Sequence, residues 1–256
     1  MLSHEARRRT LNDIAEHYDR YRPGYPDAIT EDIVFLAGLP ERGQILEMGC
    51  GTGHATALFA SRGYSITALE PGAGMASIAR RRFGNLSSVR VIETTFEAWD
   101  PGPERFDLVL AASAIHFIEP EYRFAKPARL LRPEGAFAVM WHDREPGTSE
   151  LHRRVEEAYA LHAPSYDYPD DMQGIPLEDS LDESGLYQSV YMRRYRWKRE
   201  YRGEEFLGYL DSFSAHRLLP PAERSALFGA IGQAIRGSGG SIEQGFTTRL
   251  WVARRR

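Results

Sequence analysis

Three closely spaced glycines and two acids are the residues of this sequence that are best arranged to hold a ligand. The run Glu47-Met48-Gly49-Cys50-Gly51-Thr52-Gly53 lies where a short apolar strand is predicted to turn into a helix. Glycine permits tight turns and lets a ligand approach the backbone, because it has no Cβ. Glu70 ends the next predicted strand, where a carboxylate can accept hydrogen bonds from both hydroxyls of a ribose.

The glycine spacing differs from that of a dinucleotide-binding loop. The dinucleotide fingerprint G-x-G-x-x-G would need its third glycine at the position of His54. Acids on both sides of the glycines favour a cationic ligand over a polyphosphate. A nicotinamide-dependent oxidoreductase therefore remains only as an alternative.

Alternating strands and helices position these residues. We predict strands at Gln44–Met48, Ser65–Glu70, Val89–Ile92, Phe106–Ala112 and Ala136–Trp141, separated by helices at His54–Arg62, Ala73–Arg82 and Glu121–Leu131. Such alternation is typical of a parallel sheet covered on both faces. The predicted fold is α/β: a doubly wound, seven-stranded, mostly parallel Rossmann-like sheet with one antiparallel edge strand and a helical cap.

The flanking segments complete the predicted organisation. Residues 5–19 and Asp27–Gly38 are expected to be helices, with a break at Tyr21–Pro26. Strands are expected at Tyr187–Lys198 and Phe246–Ala253, and helices at Gly203–Ser214 and Pro221–Arg236. We predict an N-terminal helical lid (1–40), an α/β core (41–144 and 187–256) and a cap insertion (145–186, with the helix 203–217).

Composition excludes several classes of protein. The chain has 256 residues, a formal charge of −4 and no concentrated basic run beyond short arginine triplets, so a nucleic-acid partner is not expected. Cys50 is the one cysteine, which excludes an internal disulfide and a cysteine-based metal cluster, and no metal site is predicted. Without an apolar signal segment or a membrane span, we expect a cytoplasmic protein with no membrane partner. Only Lys126 and Lys198 are lysines, and neither lies in a recognisable site.

The chain resembles class I S-adenosylmethionine (SAM)-dependent methyltransferases, in particular the type 11 small-molecule group and its trans-aconitate-methyltransferase-like branch. The resemblance is carried by the glycine run, by Leu69-Glu70-Pro71, by Phe96-Glu97, by Phe106-Asp107-Leu108-Val109 with Ala114-Ile115-His116-Phe117, and by Leu130-Leu131-Arg132-Pro133-Glu134-Gly135. Tyr18–Pro26 resembles the N-terminal segment of the same branch. The resemblance to this family covers nearly the whole chain and is weakest over residues 145–200.

The resemblance implies a SAM site, with S-adenosylhomocysteine (SAH) as the product. Glu70 would bind the ribose, the loop at Phe96 would receive the adenine, and a lid helix would close over the cofactor. The lid residues have an equally good alternative, packing of a helix on the sheet edge. The predicted cofactor-binding residues are Tyr18, Tyr21, Arg22, Glu47, Gly49, Cys50, Gly51, Gly53, Glu70, Pro71, Met75, Thr95, Phe96, Glu97, Ala112 and Ser113.

The implied reaction is transfer of a methyl group to a small molecule by in-line displacement, with a carboxylate as the candidate acceptor. His116 is a candidate general base, and its alternative is a histidine that holds a loop. Candidate acceptor-binding residues are His116, Trp141, His142, Arg144, Tyr209, Phe213 and His216, although the stripe formed by the last three is also typical of a core. A non-catalytic SAM-binding module is the alternative from another class, and the chain is expected to be a monomer or a homodimer.

Overall fold

A computed structural model describes residues 4–166, 175 and 177–256. The strands are β1 (Gln44–Met48), β2 (Ser65–Leu69), β3 (Val89–Ile92), β4 (Phe106–Ala112), β5 (Leu131–Arg144), β6 (Tyr187–Arg202) and β7 (Ser241–Arg255). The helices are α1 (His4–Asp13), α2 (Ala15–Tyr21), α3 (Asp27–Ala37), α4 (His54–Ala60), α5 (Ala73–Phe83), α6 (Pro120–Arg123), α7 (Ala125–Leu130), α8 (Glu150–His162), α9 (Leu177–Glu183), α10 (Gly203–Asp211), α11 (Ser214–Arg217) and α12 (Pro221–Arg236), with a 3-10 turn at Ile115–Phe117. None of the helices in these ranges is long and apolar enough to cross a lipid bilayer.

The strands form one sheet in the order β3-β2-β1-β4-β5-β7-β6. The neighbours from β3 to β5 are parallel. Arg256 N–H, after the end of β7, donates to Leu186 O, before the start of β6, at 3.0 Å. Gly203 N–H, after the end of β6, donates to Gly240 O, before the start of β7, at 3.1 Å. The end of each strand thus lies beside the start of the other, so β7 runs antiparallel to β6. The predicted fold class is confirmed. The antiparallel strand lies one place inside the edge, and β6 is the edge strand.

Several helix boundaries differ from the prediction for local reasons. The N-terminal helix is two helices, since Ile14 leaves helical geometry with φ −113° and ψ 23°. The helix predicted over 121–131 is likewise divided at Phe124, whose φ is −116°. α10 ends at Asp211, and Phe213 takes extended geometry with φ −91° and ψ 132° before a separate short helix, α11, begins. Periodicity alone does not locate such breaks.

The last three strands are longer than predicted. β5 begins at Leu131, five residues before the predicted Ala136, and β6 and β7 extend through polar sequence to Arg202 and from Ser241. The region 145–186 contains α8 and α9. α8 is capped by Ser149, whose side chain accepts from His152 N–H. Residues 167–174 and 176 of this predicted cap insertion lie outside the described residues.

The chain divides into two compact units. We call Gly24–His142, Asp171–Tyr195 and Thr248–Arg256 the sheet unit, and Met1–Pro23, Asp143–Asp170 and Arg196–Thr247 the helical unit. This division passes near the end of β5 and through the middle of β6 and β7. The predicted boundaries of lid, core and cap stay a prediction.

The sheet unit has an apolar core on each face of its sheet. Neighbouring residues of β1 alternate between the two cores: Ile45 contributes to one, and Leu46 and Met48 to the other. This follows from the period of two of an extended strand. Phe137 belongs to the second core and is 1% exposed.

The helical unit has its own core. α8, α10 and α12 contribute Val155, Phe206 and Ile231, and the aromatic rings of Tyr201 and Phe246 pack beside them. Tyr201 and Tyr209 stack with ring centroids 5.3 Å apart. Each unit thus has buried apolar side chains of its own.

Phe137→Ala tests the assignment of the core. Removing a buried phenylalanine leaves a cavity, and we expect the free energy of unfolding to fall by about 3–5 kcal/mol in urea denaturation. Phe35→Ala is the matched control, since Phe35 is 76% exposed and should change stability by less than about 0.5 kcal/mol. Equal losses in the two variants would contradict the assignment.

Candidate functional site

The turn between β1 and α4 brings the three glycines close together. Gly49, Gly51 and Gly53 have φ of +67°, +57° and +91°, a region that residues with a Cβ rarely adopt. A Cβ on Gly49 would lie 2.9 Å from Ala114 Cβ, and one on Gly53 would lie 2.4 Å from Phe83 Cε2. A Cβ on Gly51 would meet no atom within 4 Å. Packing therefore requires the outer glycines, while the middle one faces open space.

Glu70 joins this turn to the loop after β2. Its Oε2 accepts from Gly51 N–H at 2.9 Å, and its Oε1 accepts from Gly72 N–H at 2.8 Å. Glu70 is buried. The Glu70 carboxylate thus lies directly beside the Gly51 backbone and ties the glycine turn to the loop after β2.

Glu47 is a second acid beneath the glycine turn. It is 1% exposed, and its Oε2 accepts from the Thr56 hydroxyl on α4 at 2.5 Å. Burial raises the pKa of Glu47 to about 8, the Thr56 hydrogen bond opposes this, and the charge of Glu70 adds to it. The carboxyl is therefore largely protonated near neutral pH in the protein without ligand.

Cys50 has a structural position in the same turn. Its N–H donates to Leu69 O at 2.9 Å, which ties the turn to the end of β2. The thiol is buried, and burial raises the pKa of Cys50 well above its ordinary value. A thiol in this state is a poor nucleophile, as expected from its place between glycines.

The loop after β3 contains the residues predicted to receive an adenine. Phe96 is buried, Thr95 Oγ1 accepts from Ala98 N–H at 3.2 Å, and Glu97 Oε1 accepts from Glu119 N–H at 3.0 Å. The Lys126 ammonium donates to main-chain carbonyls of this loop. Sequence reasoning missed Lys126, because nothing local to it indicates a partner about thirty residues away.

The next group of predicted residues lies in the loop after β4 and near the end of β5. Ser113, directly after Ala112, has φ +52°, and its Oγ lies 3.1 Å from the hydroxyl of Tyr25. Tyr25 stacks on His142 with centroids 4.2 Å apart. Tyr25 belongs to the N-terminal segment that carried the resemblance, but it was not predicted as a site residue.

His116 lies on the 3-10 turn and is 5% exposed. Its ring contacts Trp141 edge-on at 5.0 Å and Phe117 at 3.9 Å between centroids. His116 and Trp141, both predicted to bind the acceptor, thus contact one another. Of the remaining residues predicted here, Met75 is buried in α5 and Pro71 is exposed.

The predicted lid residues lie at the end of α2 in the helical unit. The Arg22 guanidinium lies 3.6 Å from the ring centroid of Phe213 and 5.1 Å from that of Tyr18, and it donates to Ser212 O at 3.2 Å. Tyr21 packs so closely on α10 that a Cβ on Gly208 would come within 2.6 Å of its ring. α2 is therefore held against α10 within this unit.

His216 is the buried centre of an aromatic group in the helical unit. Its Nε2 lies 2.7 Å from the Tyr159 hydroxyl and its Nδ1 lies 3.2 Å from the Tyr166 hydroxyl. Burial, and then the charges of Arg144 and Arg22, lower the pKa of His216 to about 3, so it is neutral near physiological pH. Tyr209 and Phe213 contact edge-on at 5.1 Å. The two tyrosines that bond His216 were not predicted.

The structure sorts the predicted site residues into two sets. The sheet unit holds Glu47, Gly49, Cys50, Gly51, Gly53, Glu70, Pro71, Met75, Thr95, Phe96, Glu97, Ala112, Ser113, His116, Trp141 and His142. The helical unit holds Tyr18, Tyr21, Arg22, Arg144, Tyr209, Phe213 and His216. Their roles toward a ligand stay predictions.

Residues 45–135 match the sequence model of a family described as a methyltransferase domain. This range contains the glycine turn, Glu70, the loop after β3 and His116. The match confirms the resemblance to class I SAM-dependent methyltransferases, while the narrower trans-aconitate-like branch stays a prediction.

Two curated relatives and one solved structure agree with this match. The chain is 28% identical to "Probable S-adenosylmethionine-dependent methyltransferase CRG1" of Saccharomyces cerevisiae, over 65% of this chain and 56% of that protein. It is 28% identical to a malonyl-[acyl-carrier protein] O-methyltransferase of Paenibacillus, over 67% of this chain and 65% of that protein. The matched region thus spans little more than half of the yeast relative. A structure of a "Putative Type II Methyltransferase" from Anaeromyxobacter dehalogenans shares the fold, with a TM-score of 0.64, 21% identity and coverage of 92% and 98%.

Glu47→Gln tests the protonated state of the buried acid. The pKa of Glu47 is higher in the folded chain than its ordinary 4.5, so its stabilising contribution is complete below that value and is lost as pH rises through about 8. Glutamine does not titrate and keeps an oxygen for Thr56. We expect urea unfolding between about pH 5.5 and about pH 8.5 to show a smaller loss of stability in the variant than in the wild type. An identical pH dependence would contradict the raised pKa.

Proposed function

We propose that this chain, whose residues 45–135 match a methyltransferase domain, transfers a methyl group from SAM to a small-molecule acceptor. The observation that carries the proposal is the pairing of Gly51 with Glu70. Open space beside Gly51 is bordered by a carboxylate that already bonds the Gly51 N–H. A nucleoside with a ribose and a positive charge suits such a place.

The residues of the sheet unit fit SAM in three respects. The missing Cβ of Gly51 leaves room for the ligand against the backbone. The Glu70 carboxylate, an acceptor of hydrogen bonds, lies beside Gly51, where it is proposed to bind the ribose hydroxyls. Glu47, neutral without ligand, can lose its proton when a cationic group comes near, because an opposite charge lowers a carboxyl pKa.

The protein's own contribution to the reaction is position and exclusion of water. When bound, SAM supplies an electrophilic methyl group, whose carbon bonds to a lone pair of the acceptor while the carbon–sulfur electron pair stays on sulfur. Glu70 and the glycine turn hold the nucleoside end in place. Alignment of reacting groups can contribute on the order of 7–11 kcal/mol in favourable cases. A site poor in water also favours the dispersal of charge in this step.

We further propose a carboxylate as the acceptor. The related Paenibacillus protein is an O-methyltransferase of a malonyl group, which supports an oxygen acceptor. Trp141 and His142, both in the sheet unit, are the proposed apolar and polar contacts of the acceptor. Trp141 contacts the His116 ring edge-on at 5.0 Å between centroids, and His142 stacks on Tyr25 at 4.2 Å.

A carboxylate acceptor has no proton to lose and is nucleophilic at neutral pH, so its methylation requires no general base. His116 then serves by packing against Trp141. A phenol or an amine would need a base, and His116 is the candidate that this arrangement offers. The acceptor and the role of His116 are therefore linked.

Gly51→Val tests the cofactor site. The side chain would fill the open space, and we expect SAH affinity in calorimetry to fall by about 100-fold or more, equivalent to about 2.7 kcal/mol. Gly102→Val is the matched control: φ is +63° at Gly102 and +57° at Gly51, and no atom lies within 4 Å of either added Cβ. The Gly102→Val control should have similar backbone strain, and its affinity for SAH should stay within about twofold of that of the wild type. Unchanged binding by Gly51→Val would remove the glycine turn from the site.

A panel of acceptors tests the chemistry. Polycarboxylic acids, phenols and amines are incubated with SAM, and the products are identified by mass spectrometry. We expect methyl esters, with a pH–rate profile that His116→Ala leaves unchanged. A methylated phenol or amine without any ester would overturn the carboxylate proposal. SAM binding without turnover of any acceptor would favour a non-catalytic module.

A further inference from the structure

Lys126 is unusual in a chain that uses arginine almost everywhere. Lysine and arginine together number 32, and the only lysines are Lys126 and Lys198. Lys198 is an exposed residue paired with Glu243 at 2.8 Å. Lys126 is partly buried at the start of α7, and the proposed function gives it no role.

The Lys126 ammonium donates hydrogen bonds to three main-chain carbonyls of the loop after β3. Nζ lies 2.5 Å from Phe96 O, 3.0 Å from Glu97 O and 2.6 Å from Trp99 O. A lysine ammonium has three N–H donors, and all three are matched by these acceptors. It also lies 5.0 Å from the ring centroid of Phe96. The loop is therefore folded around one point charge.

Arginine cannot reproduce this arrangement. Its guanidinium spreads its donors over a planar fork, whereas an ammonium directs three donors from one atom. Carbonyls that converge on a single nitrogen therefore select lysine. Burial lowers the pKa of Lys126, because it removes part of the charged group from water.

We infer that Lys126 is a positioning residue that holds the loop of Thr95, Phe96 and Glu97 in the shape that receives the adenine of SAM. The inference rests on the proposed function, since the loop's ligand is the cofactor named there. A peptide group is planar and trans, so turning Phe96 C=O toward Lys126 turns the N–H of Glu97 to the opposite side. The N–H of the next peptide, at Ala98, already donates to Thr95 Oγ1 at 3.2 Å. Lys126 thus fixes the direction of the Glu97 N–H without touching the ligand.

Substitutions of Lys126 test the inference in the full chain. We expect Lys126→Met to weaken SAH binding in calorimetry and to raise the KM for SAM by about tenfold, with kcat at saturating SAM changed less than about threefold. The SAH affinity of Lys126→Arg should remain within about threefold of that of Lys126→Met, because a guanidinium cannot replace the ammonium here. Lys198→Met, the chain's other lysine, is the matched control and should bind as the wild type does.

Amide hydrogen exchange supplies a readout that needs no ligand. In the ligand-free protein, Lys126→Met should speed exchange across residues 95–99, while exchange in β1 and β4 stays unchanged. A general loss of protection would instead show that the variant is destabilised throughout. Full restoration of affinity and exchange by Lys126→Arg would overturn the inference, since any cation would then suffice.

Chemical rescue keeps the inference testable if Lys126→Met folds poorly. Lys126→Cys can be alkylated with 2-bromoethylamine to give a thioether analogue of lysine, and Cys50, which is 6% exposed, is the only other thiol. Wild type treated in the same way controls for reaction at Cys50. We expect alkylation to return SAH affinity to within about threefold of the wild type. No recovery would overturn the inference.

The outcomes also separate this inference from the proposed function. Wild type that binds SAH, together with Lys126→Met that binds it equally, overturns the role of Lys126 alone. Wild type that fails to bind SAH overturns the SAM site, and the inference fails with it.

Discussion

The bond from Gly51 N–H to the Glu70 carboxylate is the constraint on which the proposed site depends. To present its N–H to the tip of the neighbouring strand, the turn after β1 takes up positive φ, which suits glycine. The absence of a side chain then leaves open space beside the backbone. The other Glu70 oxygen holds Gly72, so one buried acid sets the positions of two loops. The parallel order of β1 and β2 brings these loops to the same edge of the sheet.

Charge is distributed around this bond so that a cationic nucleoside is favoured. Glu47 is neutral in the protein without ligand because burial raises its pKa. A nearby cation would lower that pKa, so the carboxyl group would lose its proton and become negatively charged. On the far side of β2, the Lys126 ammonium is saturated by carbonyl oxygens. It therefore organises a loop rather than offering a free positive charge to an anion. The Glu70 carboxylate beside Gly51 disfavours a pyrophosphate, and the glycine spacing likewise differs from that of a dinucleotide-binding loop.

Much of the fold follows from local pattern, and the parts that do not follow have physical causes. β1, β3 and β4 have the predicted bounds, because short apolar runs end at glycine or polar residues. The breaks at Ile14 and Phe124 lie where the backbone φ departs from the helical value, and β5 starts at Leu131, before its apolar run; apolar periodicity locates neither feature. In the site, the glycines and Glu70 could be predicted from spacing. Lys126, Tyr25 and the tyrosines around His216 could not, because each acts on residues distant in the chain.

A crystal structure of the protein with SAH tests the central claim most directly. The account predicts electron density for the nucleoside against Gly51, with both ribose hydroxyls within hydrogen-bonding distance of the Glu70 carboxylate. It also predicts that the hydrogen bonds from Gly51 and Gly72 to Glu70 persist, since they create the site. Density for SAH elsewhere, or a Glu70 side chain with no contact to the ribose, would contradict it.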